Sequence, residues 1–292
     1  MKIALYGTEV REEFLPIYKR LFEFAKTNNI DILLHEKIEN DLRSLFHYNT
    51  GIFEKFRTAI TQTDIHFLLS IGGDGTFLSA VPYSLEMMIP IAGINCGRLG
   101  FLADITDETL EDSLQNMIEG NYTLEKRSML ELISPKAMFG DINFAVNELT
   151  VHKLDNSSMI KIETYINGEF LVTYWADGLI IATPTGSTAY SLSVGGPVVT
   201  PNVSGLVITP IASHNLTVRP VVVPDDVEIE LIIEGRGNQF LVSVDHRSVP
   251  LDFSTSIKIK KASVTVPTVK FNGHTFYSTL RNKMMWGADK RN

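Results

Sequence analysis

The residues best suited to chemistry stand together at Gly72-Gly73-Asp74-Gly75-Thr76, directly after the apolar run 65–71. Strand, glycine-rich turn and helix form a phosphate-binding geometry. Glycine lets the backbone approach an anion, and the first N–H groups of the following helix point at it. The loop is neither GxxxxGK[ST] nor GxGxxG. Its distinguishing feature is a carboxylate among the glycines, which would repel a phosphate unless it has a task of its own. Asp74 would accept a proton from a nucleophilic hydroxyl during phosphoryl transfer, or help to hold Mg²⁺. The plainer alternative is an Asp that caps the next helix. A second element, 177–197, carries Thr183, Thr185, Ser187, Thr188, Ser191 and Ser193 around Gly186 and Tyr190. Hydroxyls and N–H groups there suit the polar edges of a nucleotide, and Tyr190 offers a ring for stacking. Capping and turn chemistry explain the same composition. Asn147-Glu148 is a third candidate, able to donate and accept toward ribose hydroxyls, although a lone Asn-Glu pair has little specificity.

Two kinds of element must position these residues. Over the first 120 residues or so, runs 2–6, 31–35, 65–71 and 89–94 read as buried strands. Residues 11–28, 76–86 and 107–119 read as helices, the first from Phe14, Leu15, Tyr18, Leu21, Phe22 and Ala25 at three- and four-residue spacing. Alternating strands and helices predict a parallel, Rossmann-like sheet covered on both faces. From about 121 onward short β-rich runs dominate: 122–133, 143–152, 159–166, 169–175, 179–183, 205–211, 227–234, 239–245 and 256–270. Asn167-Gly168 reads as a tight hairpin turn, and 235–238 as another turn. The expected organisation is an α/β domain over 1–121, a mainly antiparallel β domain over 122–274, and a C-terminal helix and tail over 275–292 that return to the first domain.

The chain has 292 residues, enough for two domains with sizeable cores. Its 44% apolar and 21% charged residues are those of an ordinary globular protein. Lys and Arg number 26 against 34 Asp and Glu, a net charge of −8. That argues against general nucleic-acid or anionic-membrane binding, while leaving room for a small anion held by backbone N–H groups. The single cysteine, Cys96, excludes an intrachain disulfide and a CxxC metal cluster, and suits a reducing compartment. No run approaches the ~20 apolar residues of a membrane helix, and 1–7 is too short for a signal-peptide core. A cytoplasmic protein, mature from residue 1, is expected. No close His metal spacing appears, so no protein metal site is expected. Asp104 and Asp107 stand open between metal binding and a helix N-terminus.

Gly72-Gly73-Asp74-Gly75-Thr76, then Asn95-Cys96-Gly97-Arg98-Leu99-Gly100-Phe101-Leu102, then Asn147-Glu148, then 177–197 together resemble the NAD kinase family, in its order and over roughly 65–250. The glycine–aspartate loop is shared with lipid kinases and, in a close variant, with phosphofructokinases. The Thr-Pro-Thr-Gly-Ser-Thr-Ala-Tyr-Ser run is more specific. The resemblance implies phosphorylation of the adenosine-ribose 2′-hydroxyl of NAD by ATP or polyphosphate, giving NADP. Asp74 would be the proton acceptor. Gly72, Gly73, Gly75 and Thr76 would cradle donor phosphates neutralised by Mg²⁺. Phe101 would lie beside NAD, with Asp74 and Gly75 also touching it. Asn147 and Glu148 would contact adenine and ribose groups, and Asp177 the nicotinamide side. Thr188 and Ser193 would hydrogen-bond adenine, with Ala189, Tyr190, Ser191 and Leu192 in the same binding segment. Ala212 and His246 match positions near the nicotinamide half, where a neighbouring subunit often contributes, Arg247 beside them is also expected to touch NAD, and a homodimer or homotetramer is implied.

This chain departs from the family pattern at Ser158, where many relatives carry Arg, with Lys153 and Lys161 as candidate substitutes. Arg247 also stands where relatives have Gln or Gly. Two alternatives compete. A soluble lipid kinase of the diacylglycerol type predicts a basic or apolar docking face, against the charge of −8. A silent NADP(H) sensor has no need of Asp74.

Overall fold

The computed structural model describes residues 1–58, 64–97, 100–140, 142–154, 158–273 and 275–287. Arg98, Leu99, Asp155, Asn156, Ser157 and His274, all within stretches read above, lie outside the described residues, as does the tail from 288. The chain divides into two compact units, Met1–Lys126 with Val266–Asn292, and Arg127–Thr265.

In the first unit, β1 (Lys2–Tyr6), β2 (Asp31–His35), β3 (Glu54–Phe56), β4 (Phe67–Gly72) and β5 (Ile91–Asn95) form a parallel sheet in the order β3-β2-β1-β4-β5. Strand Val266–Phe271 adds beside β5, parallel to it, and Tyr122–Arg127 closes that edge. β1 and β5 are buried throughout, as strands covered on both faces must be. Helix α1 (Leu15–Thr27) buries Ile17, Tyr18, Leu21, Phe22 and Ala25, the face that the spacing predicts. It begins later than residue 11 because Glu12–Phe14 form a 3₁₀ turn and Pro16 suits the first helical turn. Helix α2 (Glu36–Ser44) and β3 have no counterpart in the sequence reading. Helix α3 (Asp74–Met87) starts two residues before 76, and α4 (Leu110–Glu119) ends on Gly120 in the left-handed conformation.

The second unit holds two six-stranded antiparallel sheets. One runs Glu169–Ala176, Ile160–Ile166, Ile229–Glu234, Ile257–Lys261, Leu130–Ser134 and Phe144–Ala145. The other runs Val221–Pro224, Gly205–Ile211, Gly178–Ala182, Glu148–Lys153, Gln239–Val244 and Arg247–Asp252. Leu132, Ile162, Leu231 and Ile259 from the first sheet pack with Val151, Leu179, Ile208 and Val242 from the second in one core. Ile180, Ala182, Val207 and Ile211 face the other way and pack against Val194 and Val199. Strand Gly178–Ala182 is therefore buried on both faces, and its neighbours Asp177 and Thr183 are placed by a rigid element. Asn167 and Gly168 both have positive φ, 51° and 82°, as the hairpin turn requires.

The run 256–270 is not one strand. It breaks after Lys261, and Val266–Phe271 joins the parallel sheet of the first unit rather than the β-rich unit. Tyr122–Arg127 likewise belongs to that sheet. The compact units thus part at 126/127 and 265/266, where the sequence reading placed 121/122 and 274/275.

Candidate active site

In the first unit the site grows from the C-terminal ends of β1, β4 and β5. β1 and β4 are adjacent in the sheet, and the chain connections leave them in opposite directions. This is the switch point at which open α/β sheets bind ligands. Thr8, just after β1, places its hydroxyl 3.3 Å from that of Thr76. This pair lines a cleft of about 260 Å³ that is also bordered by Glu9, Arg11, Glu13, Gly72, Gly73 and Asn95. Gly72 has φ +152°, and a side chain there would strike Thr76. Gly73 and Gly75 face open space, with nothing among the described residues within 4 Å of where a Cβ would stand.

Asp74 is not the helix cap. Gly73 occupies that position, and the Asp74 carboxylate turns away from its own helix. Oδ2 accepts from the Phe101 N–H at 2.9 Å, and Oδ1 from Leu102 at 3.0 Å and Ala103 at 3.2 Å. The Lys283 ammonium, from the C-terminal helix Phe276–Met284, donates to Oδ2 at 3.4 Å. Two glycines permit this nest. A Cβ on Gly93 would stand 2.6 Å from Ala103 Cα, so only glycine lets 101–105 run along β5, where the Asn95 N–H reaches the Ile105 carbonyl. A Cβ on Gly100 would stand 2.7 Å from Asp74 Cγ. The Phe101 side chain is buried, its ring centroid 6.0 Å from Phe276 and 4.5 Å from Lys283 Nζ.

Nearby titratable groups are committed elsewhere. Burial, with Asp107 and Glu13 nearby, pushes the Cys96 thiol up to about 12, so it is no nucleophile. Asp104 pairs with Lys270, and Asp107 with Arg20 at 2.6 Å. Among the described residues no three His, Cys, Asp or Glu side chains cluster to hold a metal.

In the second unit Asn147-Glu148 is fixed by Asp245. The Val146 N–H donates to Asp245 Oδ2 at 2.9 Å, and those of Asn147 and Glu148 to Oδ1 at 2.8 and 3.3 Å. Asp245 stands in a turn at φ +51°, and its own N–H returns to the Glu148 carbonyl. Burial pushes the Asp245 carboxyl up, while the three N–H donors and Arg247 oppose this. Burial, then the charge of Asp245, raises Glu148 to about 8, with the Tyr190 N–H pulling the other way. Glu148 Oε2 is buried without a hydrogen-bond partner.

The run 183–193 packs against this pair. The Thr183 N–H reaches the Asn147 carbonyl at 2.8 Å, and a Cβ on Gly186 would stand 2.4 Å or less from the Asn147 carbonyl group. Ser187 Oγ donates to the Pro184 carbonyl at 2.7 Å and accepts from the Val199 N–H at 2.9 Å, Thr188 Oγ1 donates to the Thr185 carbonyl, and Ser191 Oγ meets Thr209 Oγ1 at 2.8 Å. Ser187 and Ser191 are fully buried, so their hydroxyls shape the loop. Tyr190 and Ser193 are exposed, and Thr188, Ala189 and Leu192 half-buried.

The remaining sequence-predicted residues divide. His246 falls in the Asp245 turn, at the Glu148 end. Arg247 donates to the carbonyls of Ile142 and Phe144 at 2.6 and 2.7 Å and stands over the Phe139 ring. Its guanidinium is committed to that segment. Asp177 and Ala212 lie at the opposite end of strand Gly178–Ala182, about 17 Å away at 3.3 Å per residue. There Lys153 Nζ pairs with Asp177 Oδ1 at 2.6 Å, while Lys161 is taken by Glu163 and Glu234. Lys283, Thr8 and Asp245 take these positioning roles without a local sequence signal. Their partners lie 209, 68 and 97–99 residues away, beyond any local pattern.

Comparison with known proteins converges. Residues 3–122 match the ATP-NAD kinase N-terminal domain and residues 146–271 the ATP-NAD kinase C-terminal domain. The chain is 46% identical to an NAD kinase of Flavobacterium johnsoniae and 43% to one of Bacteroides fragilis, in both cases across 100% of each chain. It is similar to the structure of an NAD kinase from Archaeoglobus fulgidus in complex with ATP, with TM-score 0.74 and 26% identity over 98% of this chain and 99% of that one. A yeast NADH kinase complexed with NADH, at TM-score 0.82 and 22% identity over 99% of this chain and 89% of that one, shares the fold. The chain belongs to the NAD kinase family.

Proposed function

We propose that the chain transfers the terminal phosphoryl group of ATP to the 2′-hydroxyl of the adenosine ribose of NAD, giving NADP and ADP. The observation that carries this reading is the Asp74 carboxylate, held by three backbone amides beside an open, glycine-lined cleft at the sheet's switch point. The acceptor oxygen bonds to phosphorus, the bond to the leaving diphosphate breaks, and the hydroxyl proton passes to Asp74. The hydroxyl is a poor nucleophile, so most of the acceleration comes from positioning and a base that acts as the new bond forms.

Gly73 and Gly75, with open space above them, and the Thr8–Thr76 pair hold the donor phosphates. Polyphosphate would fit the same cradle. Mg²⁺ would enter with the donor, held chiefly by its phosphate oxygens. It supplies charge neutralisation that lets a polyanion share the loop with Asp74.

In the second unit, Asn147, Glu148, Thr188, Tyr190 and Ser193 recognise the dinucleotide. Tyr190 offers an exposed ring for stacking, and a Glu148 that carries its proton near neutrality donates as well as accepts. Asp177 and Ala212, a strand's length away, serve the dinucleotide of a neighbouring copy in a dimer or tetramer. Lys153 there stands in for the Arg that Ser158 replaces. Edge strand Glu169–Ala176, which exposes Phe170, Leu171 and Trp175, supports such an assembly. We place the enzyme in the cytoplasm on its single cysteine. No described helix is long and apolar enough to cross a membrane.

The test is product formation. The full chain is incubated with NAD, ATP and Mg²⁺, and NADP is read through a dehydrogenase that reduces NADP and not NAD. NADP is expected to accumulate with time and enzyme. No NADP with ATP or polyphosphate as donor overturns the assignment.

A further inference from the structure

We propose that Lys283 is a positioning residue for the Asp74 carboxylate, and the one donor that yields when the acceptor hydroxyl arrives. This rests on the reading of Asp74 as the base. A carboxylate offers about four lone-pair sites on two oxygens. Among the described residues four donors fill them: Leu102 and Ala103 on Oδ1, Phe101 and Lys283 on Oδ2. To accept a hydroxyl proton the carboxylate must lose one. The three amides belong to consecutive residues threaded along β5 and cannot leave singly. Lys283 makes the longest of the four bonds, at 3.4 Å, from the end of a flexible four-carbon stem.

The helix that carries Lys283 is anchored at its start. Thr275 Oγ1 accepts from the Ser278 N–H at 3.1 Å, Ser278 Oγ accepts from the Thr275 N–H at 3.0 Å, and Leu280 is buried. Phe276 sets its ring 6.0 Å from that of Phe101. The backbone beneath Lys283 is thereby fixed while its side chain, 34% exposed, has room to turn. The Phe101 ring, 4.5 Å from Nζ, gives the ammonium a second resting partner when it leaves Oδ2. Lys283 thus holds the resting base in its reactive orientation. Its departure opens Oδ2, where the proton of the attacking hydroxyl is taken up.

The experiment measures kcat and KM for NAD in Lys283→Met and Lys283→Arg, each also combined with Asp74→Asn, with thermal unfolding as a check on folding. Lys283→Met is expected to lower kcat by up to about tenfold, the scale of losing one charged donor while the three amides still hold the base. KM should change much less, and Lys283→Arg should recover part of the loss. With Asn at position 74, Lys283→Met should leave the residual rate unchanged. Wild-type kcat in a folded Lys283→Met enzyme overturns the proposal. So does Arg performing no better than Met, or an equal loss with Asn at position 74, which would mean that Lys283 acts on substrate directly. Full turnover by Asp74→Asn alone would instead sink the base assignment.

Discussion

Replacing Gly100 by Ala tests whether the placement of Asp74, rather than its mere presence, sets the rate. The substitution adds one methyl group and removes no polar atom. That carbon would stand 2.7 Å from Asp74 Cγ, 3.0 Å from Oδ2 and closer still to Oδ1. Carbon atoms in contact ordinarily keep about 3.5–4.0 Å apart. The carboxylate, or the loop carrying Gly100, must therefore move by about 1 Å. The amide bonds to Phe101, Leu102 and Ala103 run from 2.9 to 3.2 Å, so the same movement carries some of them out of hydrogen-bond range. A misplacement of about 1 Å at a reacting group costs roughly 10²-fold in rate. The Asp74 side chain is 28% exposed and can turn to water, so the loss in stability should be only about 1–2 kcal/mol. Steady-state assays with NAD and ATP varied separately should show kcat down by about 10²-fold and KM for NAD little changed. Thermal unfolding should remain cooperative. A folded Gly100→Ala enzyme with kcat within about twofold of wild type would refute the idea that this nest aims the base.

The second unit yields three further predictions. Glu148 sits near 8 in the folded chain against an ordinary 4.5, so below about 4.5 both folded and unfolded states carry the proton and nothing is lost. As pH rises toward 8 the unfolded chain ionises first, and stability falls by something on the order of a few kcal/mol. Denaturant unfolding of Glu148→Gln should lack most of that slope between pH 5 and pH 8, and a slope equal to wild type would contradict the burial argument. Gly186→Ala pushes a methyl group into the Asn147 carbonyl and should raise KM for NAD about tenfold or more with kcat less affected; an unchanged KM would separate the 183–188 turn from dinucleotide binding. Tyr190→Ala should weaken NAD binding by ~1–3 kcal/mol through lost stacking, and titration calorimetry showing equal affinity would place the ring outside the site.

The elements written in local patterns were legible in the sequence. The Gly72–Thr76 loop falls between a strand and a helix as its glycines require, and strand Gly205–Ile211 has the bounds its apolar run suggests. Helix Glu36–Ser44 leaves no strong trace, since it carries only two apolar residues, Ile38 and Leu42, both buried. Strand Glu54–Phe56 is three residues long and exposes two of them. Alternation along 256–270 marks strand but not which sheet receives it, and Val266–Phe271 lies in the sheet of the first unit. At the candidate site, a carboxylate among glycines singles out Asp74, whereas Asn147-Glu148 stands out only through the family resemblance, and what holds all three is long-range. Nothing local tells that Asp74 binds amides 27–29 residues away, or that Asp245 pins a turn nearly a hundred residues earlier. Gly100 and Gly186 look like ordinary loop glycines until the atoms opposite their missing side chains are seen.

The account turns on Asp74 as the acceptor of the ribose proton. Asp74→Asn keeps the size and an oxygen for the Leu102 and Ala103 amides while removing the basicity, and sets an NH2 opposite the Phe101 N–H and the Lys283 ammonium. The decisive measurement is kcat of this variant at saturating NAD, ATP and Mg²⁺, with NAD affinity measured alongside by calorimetry. The account predicts a loss of about 10²–10⁴-fold in kcat with NAD affinity close to wild type. Near-normal kcat in a folded variant would contradict it, and would leave Asp74 a structural partner of the 101–103 amides.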